Sequence, residues 1–169
     1  MFLSGTLSDG SIVINTEDKA TVRIILKRCG HQQFEQQRRL SYRVRKKVIV
    51  TLADNTVNKF TDSARSTTES EDYSAAVYSK SDLVFNGSGT LNVNAGYRNG
   101  IKSTDDLKIV SGTYQITAAE DGIIGKDLLG IADGNFTVKS GTDGMKSTYD
   151  KDTTKGNIII LDGTFKIEC

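Results

Sequence analysis

Apolar residues in the second half of the chain fall in short alternating runs, Leu107-x-Ile109, Tyr114-x-Ile116, Leu129-x-Ile131 and Phe136-x-Val138, divided by corners rich in Gly, Asp, Asn and Ser. Alternation of this kind is strand periodicity, and no stretch of the region sustains the period of about 3.6 that a helix needs. The same order of side chains returns after 22 residues: Asn99-Gly100-Ile101, Asp121-Gly122-Ile123 and Asp143-Gly144-Met145 are evenly spaced, as are Leu107 with Leu129, Gly112 with Gly134, and Tyr114 with Phe136. A stack of equivalent coils is predicted.

The repeat extends both ways with small changes of length in the turns. Leu83 and Phe85 precede Leu107 and Ile109 by 24 residues, and Gly89-Thr90-Leu91 precedes Gly112-Thr113-Tyr114 by 23. Downstream, Ile158 and Ile160 repeat Leu129 and Ile131 after 29 residues, and Gly163-Thr164-Phe165 repeats Gly134-Asn135-Phe136. The extra length lies in a polar stretch from about Ser147 to Lys155, which reads as a surface loop.

Three short strands per coil, turning at glycine-rich corners, predict an all-β fold: a right-handed parallel β-helix with coils of about 22 residues and rungs about 4.8 Å apart. Each coil contributes five or six inward apolar groups, each stabilising by roughly 1.5–3 kcal/mol when fully buried. Only stacked coils offset the entropy of ordering them, so one continuous domain over residues 1–169 is expected.

Composition removes several classes. No apolar run approaches the roughly 18 residues that would read as a transmembrane helix, so no membrane span is expected. No basic n-region with an apolar h-region opens the chain, and Ser4-Gly5-Thr6-Leu7 already reads as strand, so any leader is expected upstream of Met1. Cys29 and Cys169 form no framework and are read as unpaired thiols. His31 is the single histidine, which leaves no Ser-His-Asp triad and no histidine-based zinc site.

The charge balance, 22 Lys and Arg against 21 Asp and Glu, conceals an uneven distribution. Residues 27–47 hold eight bases and one acid, Glu35, leaving 14 bases against 20 acids elsewhere. Phe34 and Tyr42 among those bases suit a nucleic-acid patch, but nothing else in the chain supports one, and no nucleic-acid partner is expected. Residues 27–45 are read instead as a local frameshift. Displacing the frame by one nucleotide permits Asn, Gly, Val, Asp, Ile and Ser across Lys27–Gln33, the usual texture of the corners, and a gene whose codons cannot yield those residues refutes the reading.

Acidic residues stack as the apolar ones do. Asp121 and Asp143 share one position in consecutive coils, with Asn99 one coil earlier, and Asp105 and Asp127 form a second ladder. Carboxylates held about 4.8 Å apart repel unless a proton or cation intervenes, and calcium accepts mixed oxygen ligands in loose geometry. Asp105, Asp121, Asp127 and Asp143 are therefore the metal candidates. The competing reading makes Asp-Gly and Asn-Gly plain turn dipeptides, chosen because they tolerate positive φ and cap corner amides.

The strings Val48-Ile49-Val50-Thr51-Leu52-Ala53-Asp54-Asn55-Thr56, Asn99-Gly100-Ile101-Lys102-Ser103-Thr104-Asp105-Asp106-Leu107, Gly112-Thr113-Tyr114-Gln115-Ile116-Thr117-Ala118 and Asp121-Gly122-Ile123-Ile124-Gly125-Lys126-Asp127 resemble a bacterial carbohydrate-binding β-helix family of cellulolytic and gut bacteria. The resemblance covers roughly Ser4–Leu26 and Lys46–Lys166, with the basic segment as the departure. It implies a right-handed parallel β-helix resembling polysaccharide lyases, secretion or attachment at the cell surface, bound Ca2+, and recognition of cellulose or of acidic polysaccharides such as polygalacturonate.

A non-catalytic, calcium-aided module for plant cell-wall polysaccharide is the resulting expectation. Asn99, Lys102, Lys126, Lys146 and Tyr97 are its carbohydrate-binding candidates. Tyr73, Tyr78 and Tyr149 join Tyr97 as corner or loop aromatics, whereas Tyr114, Phe136 and Phe165 share a core position. Two rival classes stay open: a structural or adhesin-type solenoid, and a calcium-dependent lyase using Lys102, Lys126 or Lys146 as base. Uncapped strands at both ends predict self-association.

Overall fold

A computed structural model describes residues 1–6, 12–16, 20–30, 40–43, 46–62 and 74–169. The strands begin with β1 (Phe2–Thr6), β2 (Ile12–Asn15), β3 (Val22–Gly30), β4 (Leu40–Arg43), β5 (Lys47–Leu52) and β6 (Val57–Asp62). There follow four triplets: β7 (Ala75–Ser79), β8 (Asp82–Asn86) and β9 (Thr90–Ala95); β10 (Asn99–Ser103), β11 (Asp106–Ile109) and β12 (Thr113–Ala118); β13 (Ile123–Gly125), β14 (Leu128–Ile131) and β15 (Asn135–Ser140); β16 (Met145–Lys146), β17 (Asn157–Ile160) and β18 (Thr164–Glu168). Among the described residues there is no helix.

These strands form a seven-stranded, a six-stranded and a five-stranded sheet. From β4 onward the chain visits the six-, seven- and five-stranded sheets in fixed rotation, and each strand pairs in parallel with the strand three places on. The result is an all-β protein of parallel sheets, consistent with a β-helix-like solenoid. Register places Leu107 on Leu129, Ile109 on Ile131, Tyr114 on Phe136 and Ile116 on Val138. The longer downstream interval is absorbed as expected: Leu129 pairs with Ile158, and the added residues from 147 to 156 lie outside the strands.

Inward columns build the core. Val48, Leu83, Leu107 and Leu129 are each 0% exposed and stand on one another along the seven-stranded sheet. The five-stranded sheet contributes Leu91, Tyr114 and Phe136, with the rings of Tyr114 and Phe136 stacked at 5.0 Å and those of Phe136 and Phe165 at 4.9 Å. A repeat of identical inner positions thus becomes a continuous apolar column, because parallel in-register pairing sets each side chain beside its own equivalent in the next coil.

The Asn-Gly and Asp-Gly pairs divide in two: the glycines after Asn86, Asp133 and Asp162 take the predicted positive φ, whereas those after Asn99 and Asp121 serve another purpose. Left-handed backbone falls at Gly87, Gly112, Gly134 and Gly163, the corners entering the five-stranded sheet. Gly100 and Gly122 instead lie where coils touch: a Cβ on Gly122 would meet the Gly144 carbonyl oxygen at 2.5 Å and Val138 Cγ1 at 2.5 Å. They are needed for close approach, not for handedness.

Residues 31–39 and 44–45 of the basic segment, and with them His31, lie outside the described residues. Its described start carries one anomaly, Arg28 at φ 57°, beside a register shift between β1 and β3. Cys169 is free and exposed.

Candidate functional site

The acidic residues singled out by the repeat fall at two kinds of corner, which differ in what satisfies the charge. At the turn from the six- to the seven-stranded sheet, Leu83 pairs with Leu107, which sets Asp82 at the start of β8 beside Asp106 at the start of β11. One carboxylate oxygen from each of Asp82, Asp105 and Asp106 lies within 4.8 Å of the others, and all three residues are half-buried. Asp127 follows Asp105 one coil on, its N–H donating to the Asp105 carbonyl at 3.3 Å.

Burial, then the charges of Asp82, Asp127 and Asp106, push the Asp105 carboxyl above its ordinary pKa, and Lys155 offsets only part of that. Lysines border the cluster: Lys108 Nζ lies 2.7 Å from Asp106 Oδ2, Lys47 Nζ 3.9 Å from Asp82 Oδ2, and Lys155 holds Asp127 Oδ2. Three converging carboxylates, one of them resisting ionisation, make a donor set of hard oxygens. That chemistry suits a divalent cation of the calcium type.

The other corner, from the five- to the six-stranded sheet, is closed by its own hydrogen bonds. Asn99 Oδ1 accepts from the Asp121 N–H at 3.0 Å while its Nδ2 donates to the Ser74 carbonyl at 2.7 Å, and the residue is buried. One coil on, Asp121 Oδ1 accepts from the Asp143 N–H at 3.0 Å and from the Thr142 hydroxyl. Lys146 bridges both acids, 3.4 Å from Asp121 Oδ2 and 2.7 Å from Asp143 Oδ2. Partial burial works to raise the Asp121 pKa, but the Thr142 and Asp143 hydrogen bonds and the Lys146 charge outweigh it and hold the carboxyl below its ordinary value. Here the acid caps the next coil's amide, which is the turn role.

The predicted carbohydrate-binding residues are dispersed. Lys102 pairs with Ile124 and Ile124 with Lys146, so those two lysines share an outer column of the six-stranded sheet, whereas Lys126 lies beyond β13 with its Nζ 5.7 Å from the Tyr149 ring. Tyr97 sits at the turn between β9 and β10, its ring facing the Arg98 guanidinium at 5.1 Å and its N–H donating to Asp62 Oδ1 at 3.3 Å. Tyr78, expected at a corner, is instead buried within β7, and Tyr73 lies outside the described residues. Tyr149 faces Lys155 at 4.9 Å.

Sequence reasoning named Asp105 and Asp127 but missed Asp82 and Asp106. The signal was Asp82-Leu83 against Asp106-Leu107 at the 24-residue interval, passed over because the equivalent of Asp106 one coil on is Leu128, so no acidic ladder runs on from it. It also passed over the outward positions of the five-stranded sheet. Around Val93, Ile116 and Val138 those positions bound a shallow groove of about 450 Å³ walled by polar side chains, among them Asn92, Gln115 and Thr137.

Comparison with known proteins gives concordant results. The model of a family described as carbohydrate-binding domain-containing protein matches residues 1–169. A protein of Acetivibrio thermocellus with that same description is 30% identical over 118 residues, which is 68% of this chain, and the chain spans 41% of that relative's length. Among solved structures, the gadolinium derivative of a polysaccharide lyase-like protein from C. thermocellum superposes with a TM-score of 0.89 at 30% identity, covering 98% of this chain and 68% of that one.

Proposed function

The chain belongs to the carbohydrate-binding domain-containing family, and we propose that it is a non-catalytic module that recognises plant cell-wall polysaccharide, acidic and polygalacturonate-like, with the aid of calcium. We take the fold to be a right-handed parallel β-helix with coils of about 22 residues. The in-register pairing of Ile101 with Ile123 and of Leu107 with Leu129 supports that coil length, and the handedness follows the strong preference of parallel crossovers.

One observation carries the calcium part: the convergence of Asp82, Asp105 and Asp106 at a single corner. A cation there would relieve the repulsion that raises the Asp105 pKa, and would leave coordination positions for backbone carbonyls, water or a uronate carboxylate. Lys108 would have to release Asp106 to admit it.

A lyase is the second reading, favoured by the lyase-like description of that structure. Base catalysis needs a lysine able to give up its proton. Lys146 is held the other way: hydrogen bonding to Asp143 first, with the charges of Asp121 and Asp143, outweighs desolvation and raises its pKa. Fold likeness does not transfer chemistry, and the binding reading stands ahead. On this reading the protein acts outside the cell or on its surface, and self-association through exposed apolar residues such as Ile158 and Ile160 is proposed with it.

The test is a polygalacturonate pull-down with and without EGTA, followed by absorbance of unsaturated uronate. Retention that EGTA abolishes, with no new absorbance, is the expected result. New absorbance establishes the lyase, and no retention in either buffer favours the structural solenoid.

A further inference from the structure

The outer face of the five-stranded sheet holds a feature that the acidic corners do not explain. Outward side chains on β6, β9, β12, β15 and β18 form rows across the strands, because parallel register stacks equivalent positions. One row runs Lys59, Asn92, Gln115, Thr137, Lys166, each paired with the next. The adjacent row continues Asn94, Thr117, Lys139, Glu168. Short Asn and Thr side chains in the middle and long lysines toward the ends leave the groove of about 450 Å³ between them, a volume suited to a ligand of several rings.

Its lining differs from the rest of the molecule in charge, and it holds one of the buried polar atoms left without a partner. Outside residues 27–47 the chain has 20 acids to 14 bases, yet the groove carries Lys59, Lys139 and Lys166 against Glu168 alone. Glu168 is taken up by Lys166 at 3.3 Å, and among the described residues neither Lys59 nor Lys139 is paired with an acid. Asn92 lines the groove with its Oδ1 lacking a hydrogen-bond partner. An uncompensated acceptor of this kind is costly unless a donor reaches it, and rotation of the amide turns either end outward.

We infer that this groove is the polysaccharide track, taking an extended anionic glycan laid across the strands along the stack, with Lys59 and Lys139 on its carboxylates and Asn92, Gln115, Thr117 and Thr137 on its hydroxyls. The rungs repeat at about 4.8 Å, close to the length of one pyranose unit in an extended chain, so equivalent side chains meet equivalent sugar atoms. From Lys59 to Lys166 the row spans four rungs, about 19 Å, room for three or four sugars. No aromatic ring lines the groove, so recognition rests on charge-assisted and neutral hydrogen bonds, which favours uronates over a flat crystalline face. This inference rests on the carbohydrate-binding reading and adds to it the location of the ligand and the side chains that hold it.

The experiment measures binding of the intact chain to soluble polygalacturonate and to cellulose by affinity electrophoresis and calorimetry. It compares the parent with Lys59→Glu, Lys139→Glu, Thr117→Trp to fill the groove, and Lys151→Glu as an exposed control in the loop before β17. Charge repulsion in Lys59→Glu and Lys139→Glu, and steric filling in Thr117→Trp, should each weaken polygalacturonate binding by about tenfold or more. Lys151→Glu should bind as the parent does, and all four variants should keep the parent's circular dichroism. Parent-like affinity in the three groove variants overturns the groove while leaving the carbohydrate-binding reading intact. Binding of cellulose but not polygalacturonate by the parent overturns the anionic ligand. Failure of the parent to bind either polysaccharide overturns both the groove and the reading beneath it.

Discussion

Tyr114 and Phe136 lie face to face on neighbouring strands of the five-stranded sheet, ring centroids 5.0 Å apart and planes within 7° of parallel. Phe165 continues the column below Phe136 at 4.9 Å and 3°. Phe136 is thus the ring with two stacked partners, and Phe165 has one. Beyond area burial an aromatic pair contributes about 0.5–1.5 kcal/mol, so Phe136→Leu should cost about 1–3 kcal/mol and Phe165→Leu roughly half as much. Guanidinium titrations of the two variants measure this, and equal costs would show that the stack adds nothing to burial.

The corner glycines invite a paired comparison. Gly122 has no room for a methyl group, since both obstructing atoms stand at 2.5 Å and one is backbone, the carbonyl that receives the Ile123 N–H at 3.0 Å. Gly122→Ala should therefore cost about 1–3 kcal/mol as an overpacking defect. Gly130, in the middle of β14, meets nothing nearer than Lys108 Cγ at 3.6 Å. Gly130→Ala should be neutral or stabilise by up to about 1 kcal/mol through lost chain entropy. Thermal melts of the two variants check the contrast, and a Gly122→Ala melt matching the parent's would remove close approach as the reason for that glycine.

How far this was legible from sequence follows from what each signal depends on. The columns Leu107 on Leu129 and Tyr114 on Phe136 could be read directly, because parallel in-register stacking turns a linear period into a spatial contact. The partners of Asp121 could not, because Thr142 and Lys146 reach it through side-chain geometry that no spacing encodes. Asp82 and Asp106 were hidden because Leu128 stands at their position one coil on, which breaks the acidic ladder, and the groove by attention to inward positions alone. Tyr78 was misplaced for a related reason: β7 is buried on both faces, so an outward position there is still core.

Arg28 bears on the basic segment. It holds φ 57° at the irregular pairing of β1 with β3, a backbone region that costs a side-chain-bearing residue about 1–2 kcal/mol and glycine little. The displaced reading frame permits a glycine codon across Arg28 and Cys29. Arg28→Gly should raise stability by about 1 kcal/mol, read as a higher denaturation midpoint at unchanged slope. A lower midpoint would mean that the arginine is selected there, and would count against the displaced frame.

The two acidic corners should respond to pH in opposite senses. Asp121 titrates below its ordinary value of 3.8 in the folded protein, so its contribution is complete above that value and is lost as pH falls toward the folded pKa. Asp105 titrates above 3.8 when folded, so its charged form opposes folding: stability falls as pH rises from 3.8 through the folded pKa, and the loss persists at neutral pH. Asp121→Asn should then flatten the acid limb of the stability curve, whereas Asp105→Asn should stabilise the calcium-free protein near pH 7. Calcium reverses the second effect if it occupies the corner of Asp82, Asp105 and Asp106. Bound to the folded state alone, it adds about 2.7 kcal/mol at a hundredfold excess over its dissociation constant. Melting curves of the parent and Asp105→Asn, with calcium and with EGTA, decide the matter: the parent should gain with calcium and the variant should lose most of that gain. A calcium shift of equal size in both would move the ion away from this corner.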